Sequence, residues 1–370
     1  MRVGIVTHYY QSQNYGGNLQ AFALCKALEA LGHNAVQISL DRNKDLGALT
    51  YVRRKLAQFV RSIRTPACPI VSELMLRKKA ILSFNQLIPH SPVYSERSIG
   101  MCAQQYDVLI TGSDQVWHPS AVCDAYLLTF APPEKVKMSY AASVAHDVLT
   151  PEQKERYMRA FSRYNAISVR EQEAIGLLQP LSPVPVEWVL DPTLLLSREQ
   201  WLAISTPSQM EDDYVFCYFL ADDKKQRDVA QAYAKKYGYK LVTLPHLSGQ
   251  FWKCDEDFGD IQLYDVTPQR LISLIRDAKC VFTDSFHATV FSLLMETEHF
   301  VFQRSGSEKM SSRIYSLASL FDTQDHFCDT DDKINLDYID SVKRIAYGDP
   351  FEKYEHMKEM SYAYLKGNIR

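Results

Sequence analysis

The chain has 370 residues, 46% of them hydrophobic and 23% charged, with a formal net charge of −3. That length is too great for one average domain and comfortable for two. The composition is that of an ordinary soluble globular protein, and the charge balance carries no global signature of nucleic-acid binding. No run of about 18 or more apolar residues occurs, which excludes a transmembrane helix. The opening MRVGIVTHYY reads as a strand rather than a signal peptide, since it lacks a long apolar stretch and a small-residue cleavage site. The 8 cysteines are scattered without a CxxC pair. They point to a reducing cytoplasm, with neither a disulfide framework nor a zinc site. Cys25, Cys217 and Cys280 lie in apolar runs and read as small core residues.

In chain order, RVGIVTH reads as a strand and NLQAFALCKALEALG as a helix, with Asn18 as its N-cap and Gly32 closing it. NAVQISL is the next strand, DVLITGSD a buried strand running into a polar turn, and VKMSYAAS another strand. TPEQKERYMRAFSRY opens a helix with Thr150 as cap, Pro151 at the first helical position and Gln153 completing a capping box. NAISVRE is a strand ending on Arg170, and Asp191-Pro192 breaks VEWVLDPTLLL at a candidate domain boundary. The alternation then restarts. YVFCYFL is a strand, DKKQRDVAQAYAKKYG a helix closed by Gly238, YKLVTLP a strand and TPQRLISLIRDA a helix with another Thr-Pro start. KCVFTD and HFVFQ are strands flanking the helix ATVFSLLME, and the tail DPFEKYEHMKEMSYAYLKG is helical, with Phe351, Tyr354 and Met357 on one side to pack back on the body. Two successive β-α series predict an α/β protein with two Rossmann-like doubly wound domains. The first covers residues 1–195 and the second 196–345, facing a central cleft that is the natural ligand site, with a C-terminal helix over 346–370.

Residues 42–79 interrupt the first series with ten basic side chains against two acidic ones, a net +8 in a chain of net −3. Leu49, Val52, Leu56, Phe59, Val60 and Ile63 recur at helical spacing. A basic amphipathic helix suits peripheral contact with an anionic membrane surface, and equally suits a solvated helix packed on the first domain.

Five polar segments follow strands. In SQNYGGNLQ, Gly16 and Gly17 allow a backbone to approach a ligand. The pattern is neither GxGxxG nor a Walker loop, and a plain turn with an Asn18 cap is the simpler alternative. In TGSDQVWHP, Asp114 could orient or deprotonate a hydroxyl and Trp117 could offer a sugar its flat face, or the segment is an Asx-type turn over a core tryptophan. Arg170 closes a buried strand, which suits a bidentate carboxylate or phosphate as well as a salt bridge to Glu171 or Glu173. TDSFHATVFSLL puts Asp284, Ser285 and His287 on a strand-to-helix turn, where open α/β folds bind ligands and helix amides favour anions, unless the turn is only a helix cap. RSGSEKMSSRI, residues 304–314, has the Ser, Gly, Lys309 and Arg313 content of an anion-binding loop or of a surface loop. HExxH and GxSxG are absent and no DxD follows one of the strands read above, so metal and serine-hydrolase chemistry have little support.

Together, NYGGNLQAFAL, DVLITGSDQVW, SYAAS, ISVRE, VLDPTLLL, TDSFHATVFSLL and SSRIYSL occur in this order over about residues 1–320. The chain thereby resembles the polysaccharide pyruvyl transferase family, in its branch of bacterial surface-polysaccharide gene products. The resemblance implies a GT-B-like pair of Rossmann-type domains, the first on the acceptor side and the second on the donor side. It implies transfer of the enolpyruvyl unit of phosphoenolpyruvate onto a sugar, in a lipid-linked precursor, as a cyclic ketal with loss of phosphate. It carries the family's donor-site arginine onto Arg170 and its catalytic histidine onto His287. Some members have Arg-Leu-His where this chain reads Ser285-Phe286-His287, so Lys309 or Arg313 would have to supply the missing cation. On this reading His287 protonates C3 of phosphoenolpyruvate, Arg170 holds its carboxylate or phosphate, and Asp114 orients the hydroxyl. Ser285, Lys309, Ser311, Ser312 and Arg313 complete the donor side. Asn14, Tyr15, Gly16, Gly17, Asn18, Ser113, Asp114 and Trp117 make the acceptor side. Phosphoenolpyruvate is a co-substrate, and no metal or other cofactor is required. A GT-B glycosyltransferase using a nucleotide sugar would have the same architecture. A non-catalytic glycan-binding protein is disfavoured by the presence of both Arg170 and His287.

Overall fold

The computed structural model describes residues 1–45, 53, 56, 71–247, 251–304, 312–348 and 351–369. They divide into two compact units, one drawn from Met1–Leu46, Asn85–Leu196 and Glu352–Arg370, the other from Gly47–Phe84 and Ser197–Phe351. The strands of the first unit are β1 (Arg2–Val6), β2 (Asn34–Leu40), β3 (His90–Tyr94), β4 (Val108–Thr111), β5 (Val136–Ser139), β6 (Ile167–Val169) and β7 (Val186–Trp188). Those of the second are β8 (Tyr214–Tyr218), β9 (Lys240–Thr243), β10 (Ile261–Gln262), β11 (Cys280–Thr283), β12 (His299–Phe302) and β13 (Phe327–Cys328).

Among the described residues every strand pairing is parallel, in the order β3-β2-β1-β4-β5 for the first sheet and β10-β9-β8-β11-β12-β13 for the second. Single bridges from Met138 to Ala166 and from Ala142 to Val169 lead on from β5 to the parallel pair β6-β7. The runs VLIT, YVFCY and CVFT are buried throughout, as strands covered on both faces must be. In each sheet the strand order reverses beside its first strand, so the carboxyl ends of β1 and β4, and of β8 and β11, are the places where such folds expose polar turns.

The punctuation read from the sequence holds at Thr150-Pro151-Gln153, at Thr267-Pro268 and at Gly238, whose φ of 70 closes the helix Lys224–Tyr237. It moves at the first helix, which runs Tyr15–Ala30 with Asn14, not Asn18, as cap; the Asn14 side chain accepts from the Gly16 and Gly17 amides. Asn18 is instead a buried helical residue that donates to the Asn14 and Ser12 carbonyls. The early start depends on Gly17, because a Cβ there would sit 2.6 Å from the His8 carbonyl oxygen.

The C-terminal helix Glu352–Asn368 packs on the first unit. Tyr354 donates to the Leu194 carbonyl at 2.9 Å and Tyr364 to the Ser139 carbonyl at 2.8 Å, while Ser361 accepts from the Leu190 amide at 2.9 Å. The helix Val71–Ser83 clusters with the second unit instead. Its Arg77 is buried and donates to the carbonyls of Tyr264, Leu263 and Pro245. Most of the basic segment 42–79 lies outside the described residues. Within it Arg42 pairs with Glu96 at 2.9 Å and Lys44 donates to the Val93 carbonyl, so these two and Arg77 are engaged by the protein itself. No helix among the described residues is long and apolar enough to cross a membrane. Cys25, Cys217 and Cys280 are buried thiols.

Candidate functional site

The first unit gathers its polar residues at the carboxyl ends of β1, β4, β6 and β7. Gly112 leads out of β4 with φ 112, and a Cβ on it would lie 2.3 Å from the Tyr140 carbonyl oxygen, so only glycine fits the turn. Asp114 follows with φ 65, and its side chain accepts from the Gln115 amide at 2.9 Å. Arg170, one residue beyond β6, has a side chain only 2% exposed and is held by acids. Its Nη1 donates to Asp191 at 2.9 Å, its Nε to Glu171 at 3.4 Å, and its Nη2 lies 3.9 Å from Asp114. Burial opposes the guanidinium charge, but the carboxylates of Glu171, Asp191 and Asp114 outweigh it and hold the Arg170 pKa above its ordinary value.

Hydroxyls complete the cluster. Ser113 donates to Asp191 at 3.0 Å, Ser143 to Glu171 at 2.5 Å and Thr193 to Asp191 at 2.6 Å. Three carboxylates around one guanidinium make this cluster acidic, and its geometry suits ordering a hydroxyl better than receiving another anion. The sequence allowed Arg170 a salt bridge to Glu171 or Glu173; the one to Glu171 is present, and the nearest partner, Asp191, is 21 residues away and arrives through β7.

Several residues expected on the acceptor side do not present themselves there. Trp117 offers no face to a sugar: it is wholly buried, its ring 4.9 Å from that of Phe161, and its Nε1 donates to the Tyr126 carbonyl. The turn after Asp114 folds it inward, where Val116 joins the same apolar cluster. Tyr15, Gly16, Gly17 and Asn18 form the buried first turns of a helix, and Ser113 is buried under Asp191. Asn14 is exposed but caps that helix. One residue was not singled out in the sequence: His8, just beyond β1, whose ring stacks on Tyr126 at 4.5 Å. Its signal was the same as that of His287, a histidine just after a buried strand.

The second unit repeats the design. Asp284 leaves β11 with its side chain wholly buried, accepting from the Leu220 amide at 2.7 Å and the Ala221 amide at 2.8 Å, and so ties the end of β11 to that of β8. Thr283 donates to the Tyr218 carbonyl at 2.6 Å and fastens the same two strands. Ser285 caps the helix Phe286–Leu294 by accepting from the Ala288 amide. His287 stands in the first turn of this helix, its ring 5.2 Å from that of Phe286 and nearly perpendicular to it.

Two arginines flank the turn. Arg313, in the helix Ser312–Leu320, places its guanidinium 5.9 Å from the Phe286 ring centre. Arg304, two residues beyond β12, donates from Nε to the Asp284 carbonyl at 3.1 Å and lies 3.6 Å from the Asp284 carboxylate. Within 304–314 Arg304 joins Lys309 and Arg313 as a cation, and its position after a buried strand is the sequence signal for it. Ser312 opens its helix half-buried, and Lys309 and Ser311 lie outside the described residues.

A family model described as polysaccharide pyruvyl transferase matches residues 14–306. Comparison with curated proteins gave no match. Among solved structures the chain is similar to UDP-GlcNAc 2-epimerase from Neisseria meningitidis bound to UDP-GlcNAc, with a TM-score of 0.54 and 12% identity over 100% of this chain and 99% of that one. It is also similar to a putative UDP-N-acetylglucosamine 2-epimerase from Listeria monocytogenes, with a TM-score of 0.48 and 11% identity over 99% and 97% of the two chains. At such identities the likeness is one of fold: an α/β chain of two sheet-containing lobes that resemble GT-B-like doubly wound domains, plus a C-terminal helix.

Proposed function

Since the chain belongs to the polysaccharide pyruvyl transferase family and is by that membership a pyruvyltransferase, we propose that it moves the enolpyruvyl unit of phosphoenolpyruvate onto two hydroxyls of one sugar as a cyclic ketal, releasing phosphate. The observation that carries this reading is the extent of the family match, residues 14–306, which takes in Asp114, Arg170 and Asp191 of the first unit and Asp284, His287 and Arg304 of the second. Phosphoenolpyruvate is consistent with the family as substrate. The sugar belongs to a lipid-linked polysaccharide precursor reached from the cytoplasmic side.

The roles follow from chemistry. Carbon C2 of the donor becomes electrophilic when C3 is protonated, and His287 supplies that proton. Arg304 and Arg313 lie beside the same turn and offer guanidinium groups to the donor's carboxylate and phosphate. Ser285 and Ser312 stay in the donor set, as do Lys309 and Ser311, which fall outside the described residues. Asp114 orients the acceptor hydroxyl, and Arg170, ringed by Asp191, Glu171 and Asp114, fixes that carboxylate in place.

Incubation of the protein with phosphoenolpyruvate and a panel of p-nitrophenyl glycosides, read by mass spectrometry, tests the reaction. The expected product gains the mass of pyruvate less water, with one phosphate released per ketal. Transfer from a nucleotide sugar, with phosphoenolpyruvate left untouched, would overturn the proposal.

Membrane access is proposed through the basic segment 42–79. Each Lys or Arg near an anionic surface contributes about 1 kcal/mol, and Leu56, Met75 and Leu76 add exposed apolar side chains in the same stretch. The wild type should sediment with phosphatidylglycerol vesicles at low salt, and an Arg53→Glu/Arg54→Glu/Lys55→Glu variant should stay in solution. Equal sedimentation of the two proteins, or none of either, would show that these basic residues do not dock the enzyme.

A further inference from the structure

We infer that His8 is the base that takes the proton from the attacking sugar hydroxyl, through its Nε2, an assignment that rests on the pyruvyl-transfer reading above. Position comes first. His8 lies two residues beyond the end of β1, and Asp114 three beyond β4, its direct neighbour, at the point where the order of the first sheet reverses. Ligands of open α/β sheets bind at that point. Arg42, two residues past the end of β2, reaches the same neighbourhood, its guanidinium 6.0 Å from the centre of the Tyr126 ring on which His8 stacks. Three adjacent strand ends therefore place His8, Arg42 and Asp114 around one tyrosine.

The second observation is the state of the imidazole. His8 Nε2 is buried and has no hydrogen-bond partner among the described residues. Buried polar atoms are nearly always partnered, and an orphan in a native fold points to a ligand or solvent that completes it. The ring is held for that purpose. It stacks on Tyr126 with an interplanar angle of 18°. The helix that starts at Tyr15 presses Gly17 against the His8 backbone, so closely that a Cβ would come within 2.6 Å of its carbonyl oxygen. That same Cβ position is 3.5 Å from the Asp114 carboxylate and 3.5 Å from the Ser12 hydroxyl, which puts these groups at one spot.

The charges agree with a base. Burial lowers the His8 pKa, Asp114 opposes that shift, and Arg42 adds to it. The imidazole is thus neutral at neutral pH, with a lone pair to offer, and Asp114 stands ready to steady the imidazolium once formed. In the step proposed, the hydroxyl O–H bond breaks, its proton passes to Nε2, and its electron pair forms the bond to C2. The π pair of C2–C3 takes up the proton from the donor-side acid. When the C2–O bond to phosphate breaks, the leaving group takes the proton from the imidazolium and departs as hydrogen phosphate. The second hydroxyl closes the ketal, and its proton returns to the donor-side acid. One diol and one phosphoenolpyruvate become one ketal and one hydrogen phosphate.

His8→Phe keeps the stacked ring, and His8→Gln keeps a hydrogen-bonding side chain; neither can accept the proton. With the p-nitrophenyl glycoside that the wild type turns over best, both variants should lose kcat by about 10²-fold or more. Phosphoenolpyruvate affinity by calorimetry should stay within about threefold. In the wild type the acid limb of kcat/KM should fall below the ordinary histidine value of about 6.5, and both variants should lack it. A folded variant with kcat within threefold of wild type, or an acid limb unchanged in both, overturns the assignment of His8 while leaving pyruvyl transfer intact. A wild type that forms no ketal with any glycoside of the panel overturns the parent reading and this one with it.

Discussion

His287→Ala is expected to fold as the wild type does, to bind phosphoenolpyruvate, and to lose turnover by about 10²-fold or more. The fold should survive because the turn does not depend on the imidazole. Asp284 still holds the Leu220 and Ala221 amides, Thr283 still donates to Tyr218, and Ser285 still caps the helix. Alanine is also a better helix former than histidine at a half-buried first-turn position. Binding should survive because the cations beside the turn, Arg304 and Arg313, are untouched. Only the proton for C3 is lost, and without it C2 of phosphoenolpyruvate is a poor electrophile. Circular dichroism, calorimetric titration with phosphoenolpyruvate and phosphate release in the presence of acceptor separate these three effects. Turnover close to wild type in a folded His287→Ala protein would remove His287 from the mechanism.

Arg170→Ala is expected to cost the first unit about 3–5 kcal/mol, the scale for leaving buried charges without their partner. Three carboxylates, those of Asp191, Glu171 and Asp114, converge on this one guanidinium, whose side chain is 2% exposed. Lysine cannot repair the loss fully, because a single ammonium cannot reproduce a planar fork that reaches Asp191 and Glu171 through different nitrogens. The measurement is thermal denaturation without donor, beside donor affinity for whichever variant stays folded. A lowered transition with no donor present is the mark of a residue that assembles the acid cluster. If Arg170→Ala melts like wild type and yet no longer binds phosphoenolpyruvate, Arg170 grips the donor directly, as the family resemblance first implied.

The difference between those two roles for Arg170 shows where local reading stops. ISVRE was legible as a strand with an arginine at its end, because a buried strand needs only a run of apolar side chains. Of its partners Glu171 is the next residue along the chain, but Asp114 and Asp191 follow β4 and β7, and no spacing in the sequence encodes that they meet it. Trp117 is a similar case. Its neighbours allowed either a sugar platform or a core residue, and the contact with Phe161 in the following helix decided for the core. At Asn14 and Asn18 two residues could each cap the same helix by local rules. The tight approach of Gly17 to His8 chose the earlier one.

What the sequence determined by itself is therefore what depends on neighbours along the chain. The alternation of strands and helices, the caps at Thr150 and Thr267, the stop at Gly238 and the strand-to-helix turn bearing His287 all rest on hydrogen bonds and side-chain periods within a few residues. The family could be read for the same reason, since its motifs are short and lie on those turns. What only the tertiary structure decided is the company each polar residue keeps. Asp284 anchors amides 63 and 64 residues away, Arg77 holds carbonyls 168 to 187 residues away, and His8 lies on Tyr126 with Asp114 close by. A side chain's charge state and its freedom to meet a substrate are set by burial and by whatever lies within a few ångströms, and those distances exist only once the sheets have formed.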